Sequence, residues 1–149
     1  MDVRQTLELI ARHFNVDGFG EGREGLKQLV FDDDLVVLFN DRARRDGIWM
    51  EMEIGLLPEE EKEEVLRSLL KRNVFAAHKD YPWCVLREDQ IILQEFLNCE
   101  ILSPYQVGEK VEAFINHGES WRKFLSKKML RSYETGFSQK SIFNGMIKP

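Results

Sequence analysis

Leu29-Val30-Phe31-Asp32-Asp33-Asp34-Leu35-Val36-Val37-Leu38-Phe39 is the stretch that decides the fold. Two short apolar, β-branched runs flank three aspartates, a residue type favoured in tight turns because its side chain bonds the local backbone, so the segment reads as a hairpin. A calcium loop would need oxygen ligands at alternate positions over about twelve residues and a distal Glu, a pattern missing here. A second turn signal, Asp46-Gly47, introduces Ile48-Trp49-Met50-Glu51-Met52-Glu53-Ile54, in which every even position is apolar. That alternation marks a strand with one buried face and one half-wet face. Three strands in a meander follow.

Upstream, Val3, Leu7, Ile10, Ala11 and Phe14 repeat with helical spacing behind Asp2, a good N-cap, which predicts a helix over residues 2–14. Asn15 to Gly25 carries four glycines and reads as an irregular connection. Gly18-Phe19-Gly20-Glu21-Gly22 does not fit a phosphate loop, because no strand precedes it and a Glu sits where an anion would bind.

Downstream, Pro58 is read as opening a helix, with Glu59, Glu60, Glu61, Glu63 and Glu64 near its start and Lys71 and Arg72 near its end, as the helix dipole favours. Its stripe Val65, Leu66, Leu69 and Leu70 must be buried against the sheet or a second copy of the chain. After a connection from Asn73 to Pro82, Trp83-Cys84-Val85-Leu86 and Ile91 to Leu97 flank a four-residue turn as a second hairpin. Ser103-Pro104-Tyr105-Gln106 carries a Ser N-cap, Pro at the first helical position and Gln for a capping box. The helix it starts shows one seam, Val107, Val111, Phe114, Gly118, Trp121 and Leu125. The expected class is therefore α+β: helix, three-strand antiparallel meander, helix, two-strand hairpin, helix.

At 149 residues the chain has room for one domain, and 43% hydrophobic content is enough for a core despite 32% charged residues. A net charge of −5 argues against a nucleic-acid binder, and no apolar run approaches the length of a membrane span. The N-terminus lacks the features of a secretory signal, so a cytoplasmic location is expected. Lys127, Lys128, Arg131, Lys140 and Lys148 face Glu134 alone, which divides an acidic body, residues 1–126, from a basic tail, residues 127–149, expected to be loosely ordered or docked.

Parts for catalysis are missing. Cys84 and Cys99 lack CxxC spacing and read as packed thiols; His13, His78 and His117 are isolated; no serine sits in a GxSxG elbow. A Cys84, His78 and Asp80 site places its thiol in an apolar strand, where it is inert. No metal, cofactor or catalytic residue is expected. The competing reading is a small α+β hydrolase or transferase with a site assembled from distant residues, for which a deep pocket lined by His78, Asp80 or the Glu-rich helix would speak.

With this element order, the sequence resembles the class I type III secretion chaperones, the CesT or Tir-chaperone family. The likeness rests on Phe31 to Phe39, Val65-Leu66-Arg67-Ser68-Leu69-Leu70, Ile91-Ile92-Leu93, Leu102-Ser103 leading to Val107, Val111-Glu112-Ala113-Phe114, and Trp121-Arg122; it covers residues 3–126. It implies a bacterial, cytosolic homodimer that holds the N-terminal chaperone-binding segment of an effector extended and non-globular, hydrolyses no nucleotide, and helps deliver its client to the export machinery, with the secretion ATPase complex as a further partner. It also implies a dimer interface at Val65, Leu66, Leu69, Leu70, Trp83 and Val85, and an effector-binding surface at Leu7, Ile10, Phe14, Leu35, Val37, Phe39 and Trp49. Residues Leu35 to Phe39 are apolar at every position, so a sheet covered on one side by helices leaves a second apolar face there. A client that adds a strand at a sheet edge and inserts alternate side chains would cover it.

Overall fold

The computed structural model describes residues 1–78 and 81–144, with side chains through Lys128 except that of His78. Helix α1, Val3–His13, begins at Asp2, whose carboxylate accepts from the Gln5 amide while the Gln5 side chain accepts from the Asp2 amide, a complete capping box. The strands are β1 Gly20–Glu21, β2 Lys27–Phe31, β3 Leu35–Asn40, β4 Gly47–Leu56, β5 Trp83–Arg87 and β6 Gln90–Asn98; helices α2, Lys62–His78, and α3, Pro104–Asn144, complete the order. Asp32 and Asp33 are both left-handed, φ 50° and 67°, and the Asp34 amide donates to the Phe31 carbonyl, so the aspartates do close the β2–β3 hairpin.

The structure adds a strand to the expected meander and corrects both ends of α2. The glycine-rich connection contains β1, a two-residue strand on β2, so four strands form the meander. The expected second hairpin joins the meander: β6 pairs along β4 from Gly47↔Asn98 to Leu56↔Gln90, which gives one antiparallel sheet in the order β1-β2-β3-β4-β6-β5. Helix α2 starts at Lys62 rather than at Pro58, because the Leu57 amide is still bonded to the Asp89 carbonyl of the β5–β6 turn and Leu57 is buried there. The same helix runs on through Asn73 to His78, so Lys71 and Arg72 lie mid-helix.

Helices α1 and α3 lie on one face of the sheet. That face presents Leu29, Leu35, Val37, Phe39, Ile48, Met50, Met52, Ile54, Ile91, Leu93 and Leu97, all buried. Register explains the set: Phe39 pairs with Met50, Val37 with Met52, and Met52 with Leu93, so these side chains share one face. Ser103 and Gln106 form the expected capping box of α3, and Val107, Val111, Phe114 and Leu125 are buried along its seam. At Gly118 a Cβ would collide with the Met52 sulfur, so only glycine lets α3 lie this close to β4. The backbone of α3 continues to Asn144, 41 residues or roughly 60 Å at 1.5 Å per residue, and the expected boundary at 126 falls inside it. Lys128, the second residue of the expected tail, is buried between Glu61 and Glu64 at the start of α2.

Candidate functional site

Two surfaces stand out, and each is created by what the core leaves outside. The first is the sheet face turned away from α1 and α3, with its β2 edge. Parity places Gln28, Val30, Val36, Leu38, Trp49, Glu51, Glu53, Ile92, Gln94, Phe96, Trp83, Val85 and Arg87 there. Val30 is 50% exposed and Val36 38%, while Leu38, Trp49 and Phe96 are half-buried. The Trp49 and Phe96 rings meet at 5.1 Å, with the Arg44 guanidinium 4.5 Å above Phe96. Beside this apolar strip Glu51 accepts from Gln94 at 2.8 Å and from Arg87 at 3.2 Å, and a concavity of about 340 Å³ opens between Val36, Leu38, Glu51, Glu53, Arg87 and Arg122.

The edge of β2 is open along half its length. β1 reaches only from Lys27 to Gln28, so Leu29, Val30 and Phe31 have β3 on one side and, among the described residues, no strand on the other. The Gly22 amide donates to the Leu26 carbonyl, and antiparallel pairing alternates, so Leu26, Gln28 and Val30 turn their backbone groups toward this outer edge. Phe14 and Phe31 flank it, ring against ring at 4.9 Å.

The opposite edge is blocked at Cys84. The Asn73 side chain donates to the Cys84 carbonyl and accepts from the Cys84 amide, both at 2.8 Å, so α2 occupies the pairing groups of β5 at that position. The second surface lies on the outside of this helix: Leu70, Val74 and Phe75 are 68%, 61% and 56% exposed, with Trp83 and Leu86 of β5 also exposed.

The structure divides the expected site residues. Leu7, Ile10, Leu35, Val37 and Phe39 are core side chains, which corrects their expected place on an accessible surface; only Phe14 and Trp49 of that set reach solvent. The reason is strand parity: the β3 residues facing outward are Val36 and Leu38. Of the expected interface set, Val65 and Leu69 belong to the core of a single chain, Leu66 and Val85 are half-buried, and Leu70 and Trp83 are exposed. Val74, Phe75 and Leu86 were missed, the first two because Asn73 was read as ending the helix.

Burial pushes the Cys84 thiol up to about 12, opposed only by the nearby Arg72 charge. Among the described residues no group of His, Cys, Asp and Glu is placed to hold a metal ion. Asp80 and the His78 side chain, invoked for the competing enzymatic reading, lie outside the described residues.

The family model for the Tir chaperone protein (CesT) family matches residues 5–122. The chain belongs to the CesT family. A chain from the crystal structure of the Yersinia pestis type III secretion chaperone SycH, in complex with a stable fragment of YscM2, shares the fold at a TM-score of 0.63 and 19% identity, over 78% of this chain and 97% of that one. A chain of the ExsC–ExsE complex gives 0.64 and 19%, over 83% and 96%, and a chain of the HopA1–SchA chaperone–effector complex 0.63 and 13%, over 80% and 92%. No curated protein matches the sequence at a significant level. The CesT match begins at Gln5 within α1, takes in β1 to β6 and α2, and ends at Arg122, within α3. Both surfaces described above lie inside it.

Proposed function

We propose that this CesT-family protein is a homodimeric cytoplasmic chaperone of a bacterial type III secretion system, which keeps the N-terminal segment of an effector extended and soluble and promotes its delivery to the export apparatus. The observation that carries the reading is the open β2 edge beside the exposed side chains of Val30 and Val36. An extended chain pairing there satisfies the Val30 backbone, and its alternate side chains cover the strip formed by Val36, Leu38 and Trp49. Ordering a disordered client costs about 2–5 kcal/mol of the gross interaction energy, so a long contact is required, and a dimer provides it twice.

The dimer forms through the outer side of α2 and through β5, at Leu66, Leu70, Val74, Phe75, Trp83, Val85 and Leu86. Each large apolar side chain buried there contributes about 1.5–3 kcal/mol, enough for a handful to hold two copies together. The β5 edge, blocked at Cys84 by Asn73, fits this role, since the block disfavours strand pairing between the copies there. The core residues Leu35, Val37 and Phe39 support the client surface from beneath, while Phe14 and Trp49 touch it. The function requires no nucleotide, metal or reaction.

The test is co-expression with the protein encoded by the adjacent reading frame. The reading predicts a stable complex of two chaperone copies with one client, in which only the client's N-terminal segment resists protease. A client bound as a folded globule, or no complex with any secreted protein of the same locus, overturns it.

A further inference from the structure

Between α2 and α3 runs a cleft of about 370 Å³, lined by Ser68, Arg72, His117, Ser120, Trp121 and Phe124. One lining residue, Arg72, is an arginine without a carboxylate partner among the described residues. Arg4, Arg23, Arg44, Arg67, Arg87 and Arg122 each lie within ion-pair distance of a carboxylate, while Arg12, Arg42 and Arg45 are exposed to water. Half-buried Arg72 has none among the described residues: one terminal N–H donates to His117 Nδ1 at 2.6 Å, the guanidinium stacks 4.7 Å from the centre of the Tyr81 ring, and the Nε–H is buried with no acceptor. A desolvated guanidinium is expensive unless an anion answers it, and this one lines an open cleft whose wall also includes Ser120.

We infer that the α2–α3 cleft is a binding site for a carboxylate, supplied by an acidic side chain of a bound polypeptide, with Arg72 as its counter-charge. This rests on the proposal that the protein binds an extended client. The chemistry selects the occupant in three ways. A planar carboxylate matches the forked N–H groups of a guanidinium. One arginine balances one monoanion, and a free dianion such as phosphate is repelled by a molecule of net charge −5. A carboxylate carried on a chain that is already held elsewhere arrives at a high effective concentration, which offsets that repulsion. The Trp121 and Phe124 rings on the cleft wall give the aliphatic stem of a Glu an apolar surface to lie on.

The experiment is an NMR titration of the full chain with three probes: N-acetylglutamate methylamide, its glutamine counterpart, and inorganic phosphate. The Arg72 Nε–H and Trp121 indole signals report the cleft, and those of Trp49 and Trp83 are controls. The expected result is a saturable shift confined to the cleft signals, with half-saturation at least tenfold lower for the glutamate probe than for either other probe. Arg72→Gln removes the Trp121 response at least tenfold, and Arg72→Lys, which keeps charge but not the fork, falls between. The proposal is overturned by an absent or equal response to glutamate and glutamine, by phosphate binding as tightly as glutamate, by equal shifts at all three tryptophans, or by an Arg72→Gln protein that responds unchanged. The comparison of probes on the unaltered chain needs no variant to fold. These probes are too short to pair along β2, so a responsive cleft in a protein without a client overturns the chaperone reading alone, whereas client capture with a silent cleft overturns this one alone.

Discussion

The Asn73 carboxamide holds both backbone groups of Cys84, donating to its carbonyl and accepting from its amide at 2.8 Å each. One helical side chain thereby blocks one edge of the sheet at Cys84, while the other edge stays open at Val30. Replacing Asn73 by Ala removes two hydrogen bonds worth about 1 kcal/mol each, so a loss of about 2 kcal/mol is expected in urea unfolding. Amide exchange at Cys84 will accelerate correspondingly. Asn73→Asp is expected to be no better, because it keeps the acceptor but sets a negative oxygen against the Cys84 carbonyl.

Strand β3 separates stability from binding by parity. Phe39→Ala, at a fully buried position, is expected to cost about 3–5 kcal/mol, and Leu35→Asp or Phe39→Asp to prevent folding. Val36→Asp and Leu38→Asp, on the outer face, are expected to leave the unfolding midpoint nearly unchanged while lowering client retention at least tenfold in co-purification. Equal retention by the outer-face variants would remove that face from the binding surface.

These contrasts show what was legible in the chain. Ser103-Pro104-Gln106 announced α3, the three aspartates announced the β2–β3 hairpin, and Asp2 announced α1, because caps and tight turns are local and rest on a few neighbouring residues. Helix α2 was misread at both ends for the opposite reason: its start is delayed by the Leu57–Asp89 bond, and its continuation past Asn73 depends on a strand eleven residues away. That second error hid Val74 and Phe75. Leu35 to Phe39 of β3 are all apolar, so the sequence alone does not say which alternate set faces inward; the pairing of Val37 with Met52 and Phe39 with Met50 decides it. The even-position pattern of β4 was the signal that, once paired, could have settled the parity. Phosphate loops and catalytic triads were judged on the spacing of a few residues, whereas the CesT-like element order needed the whole chain.

The exposed side of α2 predicts the oligomeric state. The unaltered protein is expected to show twice its 17.6 kDa chain mass by light scattering, and Leu70→Asp combined with Phe75→Asp a folded species at the single-chain mass. Both positions are more than half exposed in one chain, so the circular-dichroism spectrum should survive the change. A monomeric unaltered protein would deny the outer side of α2 its assigned role.

His117 provides a pH signature. Its burial, and secondly the Arg72 charge beside it, hold its imidazolium below the ordinary His range, so the ring is neutral at pH 7 with Nδ1 accepting from Arg72. The folded state therefore binds this proton less readily than the unfolded chain. The stability linked to His117 is fully present above the unfolded value of about 6.5 and is lost as the pH falls through the depressed folded value. An NMR titration of the ring should show its midpoint below 6.5, and Arg72→Gln should raise it. A midpoint at the ordinary value in the unaltered protein would contradict the burial of this ring against the guanidinium.

The most direct test of the central claim is residue-resolved hydrogen exchange on the complex with the client. An extended client segment pairing with β2 slows exchange of the Val30 amide at least tenfold relative to the free dimer and leaves that of Cys84, already bonded to Asn73, unchanged. A bound client that leaves Val30 exchanging as fast as before would show that this edge is not where the polypeptide is held.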